Sequence, residues 1–371
     1  MRLRRAFMKE TVIVKTSVRL LNAELFQPFT ISSGSHKALE NALIGVQTRE
    51  GVWGWGEAAV APHITGETQK TTFQNLAGTA EWLKGRDIAD YMKLFVRLED
   101  TLESNRAALA ASQMAVLDAL ARTLKIPLWR LYGVKPAPIR TDITVVIGSE
   151  AQAYEFAARW RRLGFSIFKI KTGADIDSDL KRILAVRKAA PGAEICLDFN
   201  GAYDARTAER FVKRLAQKGV RPGVIEQPVA KDDHEGLGYL SRRLKMPVCA
   251  DESAYSVSDA VSLIKKKRVT AINIKLTKLG LLRAREVWAL AGAAGVKLMM
   301  GEMLETELAS TCAAQFASGL GGFDFIDLDT PFFIRQKVMK GGGHISQNGV
   351  YDIKGIKAGI GYTPAQLRRT R

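Results

Sequence analysis

Between Phe165 and Lys278, acidic and basic residues recur at the ends of short apolar runs. The runs are Ser166-Ile-Phe-Lys169-Ile-Lys171, Glu194-Ile-Cys-Leu-Asp198-Phe-Asn200, Gly223-Val-Ile-Glu226-Gln-Pro228, Pro247-Val-Cys-Ala-Asp251-Glu252 and Ala271-Ile-Asn273-Ile-Lys275. Each has the length and β-branched content of a strand. Side chains alternate across a strand, so Lys169 and Lys171 share a face. The same holds for Cys196, Asp198 and Asn200, for Cys249 and Asp251, and for Asn273 and Lys275. A lone carboxylate is costly to bury, so a charge at every strand end points to one shared site.

Asp198, Glu226 and Asp251 end consecutive runs. Three acids in one mouth repel each other and raise one another's pKa, a conflict that a divalent cation removes. Oxygen-only ligation with room for water suits Mg²⁺, and the lack of soft ligands argues against zinc. Lys171 and Lys275 flank the acids in strand order, which puts one amine on each face of a bound substrate. A lysine acts as a base only if its pKa is lowered; the neighbouring Lys169 and a Mg²⁺ would both disfavour its ammonium form. Two bases on two faces suit racemisation or epimerisation beside a carboxylate, through an enediolate. One base with a cationic partner suits elimination or cycloisomerisation instead. Unrelated surface ion pairs are the competing reading, and they leave the regular placement without a reason.

The elements that must position these groups follow from the same spacing. The runs repeat about every 25–30 residues, one βα unit of a parallel barrel. Helices are expected at Glu150–Leu163, Ile176–Lys188, Ala205–Lys218, Gly236–Leu244, Val257–Lys265 and Leu281–Ala294. Further strands are expected at Arg140–Val146, Lys297–Gly301 and Phe323–Asp329. Ahead of the barrel, Thr11–Val18, Ala42–Thr48 and Val52–Glu57 read as a strand meander. Phe26–Lys37 reads as a polar, mobile loop. Helices follow at Thr68–Lys84, Ile88–Leu102 and Arg106–Leu124, the last alanine-rich and amphipathic. The fold class is therefore α/β, a barrel with an α+β capping domain. The expected division is 1–134 for the cap and 135–345 for the barrel, with the tail 346–371 packing back on the cap.

At 371 residues and 47% hydrophobic, the chain can bury a large core, and its composition is not that of a disordered protein. No apolar run approaches the roughly 20 residues that span a bilayer. The start is basic without the apolar core of a secretory signal, and Met8 is an alternative initiator to Met1. Cys196, Cys249 and Cys312 show no metal spacing, and two sit in expected strands as small buried thiols. A reducing, cytoplasmic location fits. The net charge of +17 raises the question of nucleic acid, but the basic residues are scattered over helices and termini without a binding motif. A solvated basic surface is the expectation, with no specific nucleic-acid partner and no membrane; binding of polyanions by a non-enzymatic barrel is the remote alternative.

The order Lys169-x-Lys171, Asp198, Glu226, Asp251, Lys275 resembles the enolase superfamily, in its muconate-lactonising subgroup. Trp55-Gly-Glu57-Ala resembles the hairpin of that family's cap, and Ser112-Gln-Met-Ala-Val-Leu-Asp118 its last cap helix. The resemblance implies a modified TIM barrel, (β/α)7β, with Mg²⁺ on the three acids and Lys169 on the metal-bound carboxylate. None of His36, His63, His234 or His344 lies where a mandelate-racemase-type catalytic histidine belongs. Asp327-Leu-Asp329 resembles the motif with which dipeptide epimerases hold a substrate ammonium, and paired acids suit that role. Ile64-Thr-Gly-Glu67 and Met303-Leu-Glu305 resemble the same group. The implied activity is inversion of the C-terminal residue of a dipeptide. A cycloisomerase, an o-succinylbenzoate synthase or an N-acylamino acid racemase is the alternative. Phe26–Lys37 lacks the arginine that members specific for Ala-Glu carry, so a glutamate preference is not implied. Glu302, with Glu305, is expected to favour a polar or cationic side chain. Asn200 and Asn273 complete the expected substrate contacts, and a homo-oligomer is expected.

Overall fold

The computed structural model describes residues 10–365 apart from Ser33, Val134, Ala174 and Gly343. The alternative starts Met1 and Met8, and the end of the tail from residue 366, lie outside the described residues.

The chain opens with an antiparallel sheet of Ile13–Ile31, Gly34–Thr48 and Trp53–Ala58, in that order. Phe26–Lys37, expected as a loop, is the tip of the first hairpin. Phe29 pairs with His36, Thr30 with Ser35 and Ile31 with Gly34. Aromatic anchors hold this tip down: Phe26 stacks on Phe333 at 5.3 Å, and Phe29 meets the same ring edge-on at 5.0 Å. Helices Gln69–Leu83, Tyr91–Thr101 and Arg106–Thr123 follow.

The third helix is not amphipathic, contrary to expectation. Every residue from Ala107 to Ala121 is buried. The helix lies between the cap sheet and the barrel helix Leu276–Ala294, so it has no wet face. Small residues permit that approach. A Cβ on Gly56 would overlap the Ala111 carbonyl, and one on Gly54 would overlap the backbone of Ala119. Asp118, fully buried, accepts from Trp55 N (2.9 Å), Arg122 Nε (2.9 Å) and Ile360 N (2.7 Å). It thus joins sheet, helix and C-terminal tail. Pairing of Ile139–Arg140 with Val350–Tyr351 ties the tail to the segment before the barrel.

The barrel is (β/α)7β. Its strands are Ile143–Val145, Ile167–Lys171, Glu194–Asp198, Val224–Glu226, Val248–Ala250, Ala271–Lys275, Lys297–Gly301 and Phe325–Ile326, parallel and adjacent in sequence order. The two ends meet where Asp142 N donates to Ile326 O at 3.1 Å. All the intervening helices except Leu276–Ala294 begin at side-chain caps, among them Ser149, Asp204 and Ser256. Inside, Cys196, Val224, Cys249, Ala271 and Met299 form an apolar floor. Cys196, Val224 and Cys249 lie two residues before Asp198, Glu226 and Asp251, so alternation puts the three acids directly above them. Among the described residues no helix is long and apolar enough to cross a membrane.

The tight contact of sheet and helix generates a contrast between two glycines. Gly56→Ala is expected to cost about 2 kcal/mol or more through overpacking. Gly78→Ala, where an added Cβ meets nothing within 4 Å, should stabilise by roughly 0.5–1 kcal/mol through helix propensity. Thermal unfolding of the two variants beside the parent checks both signs.

Candidate active site

The alternation within each strand delivers the expected set to one mouth. Lys169, Lys171, Asp198, Glu226, Asp251, Asn273 and Lys275 are all buried at its base. Lys169 Nζ lies 2.6 Å from Glu226 Oε2, 3.2 Å from Asp198 Oδ2 and 2.5 Å from Asp327 Oδ2. Lys171 Nζ reaches Asp198 Oδ2 at 2.6 Å, and Lys275 Nζ reaches Asp251 Oδ2 at 2.8 Å. Asn273 Nδ2 donates to Glu226 Oε1 at 2.6 Å. Asn200, in the left-handed region at φ 42°, donates to Glu252 Oε1 at 3.1 Å.

These contacts set the protonation pattern. Burial alone would raise Asp198, but Lys171 and Lys169 outweigh it and hold the carboxyl at about 2. Asp251 is likewise held well below the usual carboxylate range, because Lys275 and Lys278 outweigh burial. Glu226 goes the other way, to about 7, pushed by burial and by the charge of Asp198. Lys275, expected to be lowered, is raised instead. Burial opposes the ammonium forms, yet Asp327, Glu226 and Asp198 hold Lys169 well above its ordinary value, and Asp251 and Glu226 do so for Lys275. The carboxylates that would hold a cation are also paired with amines.

The donor set fits a hard divalent ion. It comprises three buried carboxylates at the ends of neighbouring strands, with no sulfur or imidazole ligand among them. Glu226, raised by burial and then by the charges of Asp198 and Asp251, is the acid that a divalent charge would most relieve.

Above the acids opens a cavity lined by Lys171, Lys275, Asn200, Asp327, Asp329 and Glu302. The cap closes it with Phe29, Ile31 and His36 from the hairpin tip, and with Ala61 and Ile64. Met303 and Leu304 complete an apolar wall. Asp327 faces Lys169, and Asp329 Oδ2 accepts from Thr144 N at 2.5 Å. Glu302 is turned to internal donors, Ser310 Oγ at 2.5 Å and Thr330 N and Oγ1 at 2.7 Å. Burial and the nearby Glu305 raise its carboxyl well above the usual range. Glu305 accepts from Thr277 Oγ1 at 2.8 Å. The His36 ring lies 4.6 Å from that of His63, tilted by 54°, and burial and that neighbour lower it to about 4.

Two site residues escaped the sequence reading. Lys278 Nζ binds Asp251 Oδ1 at 2.5 Å, Asp251 O at 2.7 Å and Asn273 O at 3.1 Å. The signal was its place three residues after Lys275, one helical turn on. Asp142 lies beside Asp327 and Asp329, each offering one carboxylate oxygen within 4.8 Å of the others. Its signal was the alternation Asp142-x-Thr144 in the first strand.

Comparison with known proteins agrees with this architecture over nearly the whole chain. The model described as "Mandelate racemase / muconate lactonizing enzyme, N-terminal domain" matches residues 13–133, and "Enolase C-terminal domain-like" matches residues 152–367. A hydrophobic dipeptide epimerase of Citrifermentans bemidjiense is 42% identical, over 93% of this chain and 96% of that protein. An aromatic dipeptide epimerase of Herpetosiphon aurantiacus is 36% identical, over 90% and 94%. The solved dipeptide epimerase of Enterococcus faecalis V583, complexed with Mg and L-Leu-L-Tyr, superposes with a TM-score of 0.90 at 30% identity, covering 95% of this chain and 99% of that one. With both halves of the chain matched and the barrel-mouth charges in place, the chain belongs to the mandelate racemase/muconate lactonizing enzyme family of the enolase superfamily.

Proposed function

We propose that this protein is a Mg²⁺-dependent dipeptide epimerase, an isomerase that inverts the Cα of the C-terminal residue with Lys171 and Lys275 as the two proton carriers. The observation that carries this reading is one cavity lined both by the two lysines and by Asp327 and Asp329. Substrates of the rival cycloisomerase and N-acylamino acid racemase readings have no free amine, and such a pair of buried acids would have nothing to bind.

Asp198, Glu226 and Asp251 would hold the ion, which when bound supplies positive charge to the substrate carboxylate as its α-proton leaves. Lys169 Nζ, already within reach of two of these acids, donates to that same carboxylate. Asp327 and Asp329 accept from the substrate ammonium and fix the Cα between the lysines. One lysine, deprotonated before turnover, takes the proton as a neutral amine, and the other, as an ammonium, returns a proton to the opposite face. The cap shuts water out with Phe29, Ile31 and Ile64.

The walls favour apolar side chains. Phe29, Ile31, Ile64, Met303 and Leu304 face the cavity, and Glu302, expected to attract a cation, is committed to donors on Ser310 and Thr330. The epimerases of C. bemidjiense and H. aurantiacus, named for hydrophobic and aromatic dipeptides, support the same preference.

Incubation with Mg²⁺ and pooled L,L-dipeptides in D₂O is expected to add one deuteron to dipeptides with apolar side chains, and chelation should abolish the uptake. Lack of uptake in every pool, with Mg²⁺ shown to bind, would turn the assignment to substrates without an amine. Lys171→Ala and Lys275→Ala should each cut epimerisation by about 10²–10⁴-fold, read by chiral separation. Asp327→Asn should raise the dipeptide KM by about 10- to 100-fold, as loss of a charged hydrogen bond implies. Glu302→Gln should leave the order of preferred dipeptides unchanged when the same panel is repeated.

A further inference from the structure

We propose that Asp142 is a positioning residue of the ammonium site, a carboxyl donor lying beneath Asp327 and Asp329 that leaves their outer oxygens free for the substrate. The inference rests on the role given above to Asp327 and Asp329.

Asp142, Asp327 and Asp329 each present an oxygen within 4.8 Å of the other two, and none is more than 6% exposed. Donors to this cluster are few. Lys169 Nζ serves Asp327 Oδ2, but it is shared with Asp198 and Glu226. Thr144 N serves Asp329 Oδ2. Asp142 Oδ1 has no hydrogen-bond partner, although its side chain is 3% exposed. Three anions with one shared amine and the Thr144 donors as their only counterparts are costly in so buried a cluster, and most costly at Asp142, whose Oδ1 has no partner. A proton on Asp142 resolves the count, since a neutral carboxyl can donate to one acid while keeping an acceptor. Burial and the charges of Asp327 and Asp329 push it in that direction.

Position supports the same assignment. Asp142 precedes Thr144 by two residues, so both point into the barrel, with Asp142 the deeper. Thr144 lines the cavity, whereas Asp142 does not. Asp142 therefore acts on the substrate through its two acidic neighbours and does not touch it. The backbone N–H of Asp142 also closes the barrel onto Ile326, which fixes the carboxyl against the start of the Asp327-Leu-Asp329 segment.

Asp142→Asn keeps a donor of the same shape, and Asp142→Leu removes it. The dipeptide KM is expected to stay within about threefold of the parent for Asn and to rise tenfold or more for Leu, with kcat the less affected constant. Infrared difference spectra of the parent against Asp142→Asn at neutral pH should show the loss of one protonated-carboxyl band, a readout that needs neither activity nor the Leu variant. Asn as damaging as Leu, an unchanged KM in a folded Leu variant, or no lost band would each overturn the proposal. Asp327→Asn serves as the control: if it leaves the dipeptide KM unchanged, the ammonium site itself is misassigned, and the infrared band alone then decides the state of Asp142.

Discussion

The balance of buried charge at the barrel mouth is the constraint to which the rest of the molecule answers. Lys169, Lys171, Lys275 and Lys278 meet Asp198, Glu226, Asp251 and Asp327 at 2.5–3.2 Å, nearly all out of contact with water. Such an array survives only where each group has a partner, since breaking a buried pair costs about 3–5 kcal/mol. The apolar floor beneath it, Cys196, Val224, Cys249, Ala271 and Met299, excludes water from below. The array is thus a network whose members share partners, and Lys169, touching three acids, is its centre.

The cap contributes to that network without supplying a charge to it. Gln113 Oε1 accepts from Leu281 N at 2.6 Å, where the helix after Lys275 restarts at Gly280 with φ 69°. A cap side chain thereby fixes the turn that carries Lys275 and Lys278. Asn41 Nδ2 donates to Leu304 O at 2.9 Å, while Glu57 accepts from Thr306 N at 3.0 Å. These two residues hold the loop whose Met303 and Leu304 form the cavity wall. Cap and barrel form one site because the hydrogen bonds of one complete the backbone of the other.

Much of this was legible in the sequence, for identifiable reasons. The strands announced themselves because period-2 alternation and a terminal charge are local signals. The barrel helices, except the one after Lys275, began at cap residues that need no tertiary context. What stayed hidden depended on neighbours far away in the chain. Phe26–Lys37 looked like a loop because its composition is polar, and its anchor, Phe333, lies some 300 residues on. Arg106–Thr123 looked amphipathic because the alanine spacing allowed it; burial on every side follows from two layers that no helical wheel contains. Lys275 was expected to be a poor ammonium holder, whereas pairing with Asp251 makes it a strong one. Lys278 and Asp142 were missed because each lies outside the strand-end pattern, one in a helix and one at the deeper layer of the first strand.

The first hairpin divides the molecule's labour. Its regular pairing breaks between Glu24 and Phe29, and beyond that irregularity the tip pairs with itself. It meets the barrel side through the Phe333 ring and through Ile147 N, which donates to Thr30 O at 3.1 Å. Phe29, Ile31 and His36 on this tip face the cavity, and none belongs to the charged array. On the proposed reading, part of the selectivity therefore sits on a stretch of chain apart from the proton carriers. The tip would then be a replaceable cassette: an exchange of about a dozen residues would reshape the cavity wall around unchanged lysines and acids.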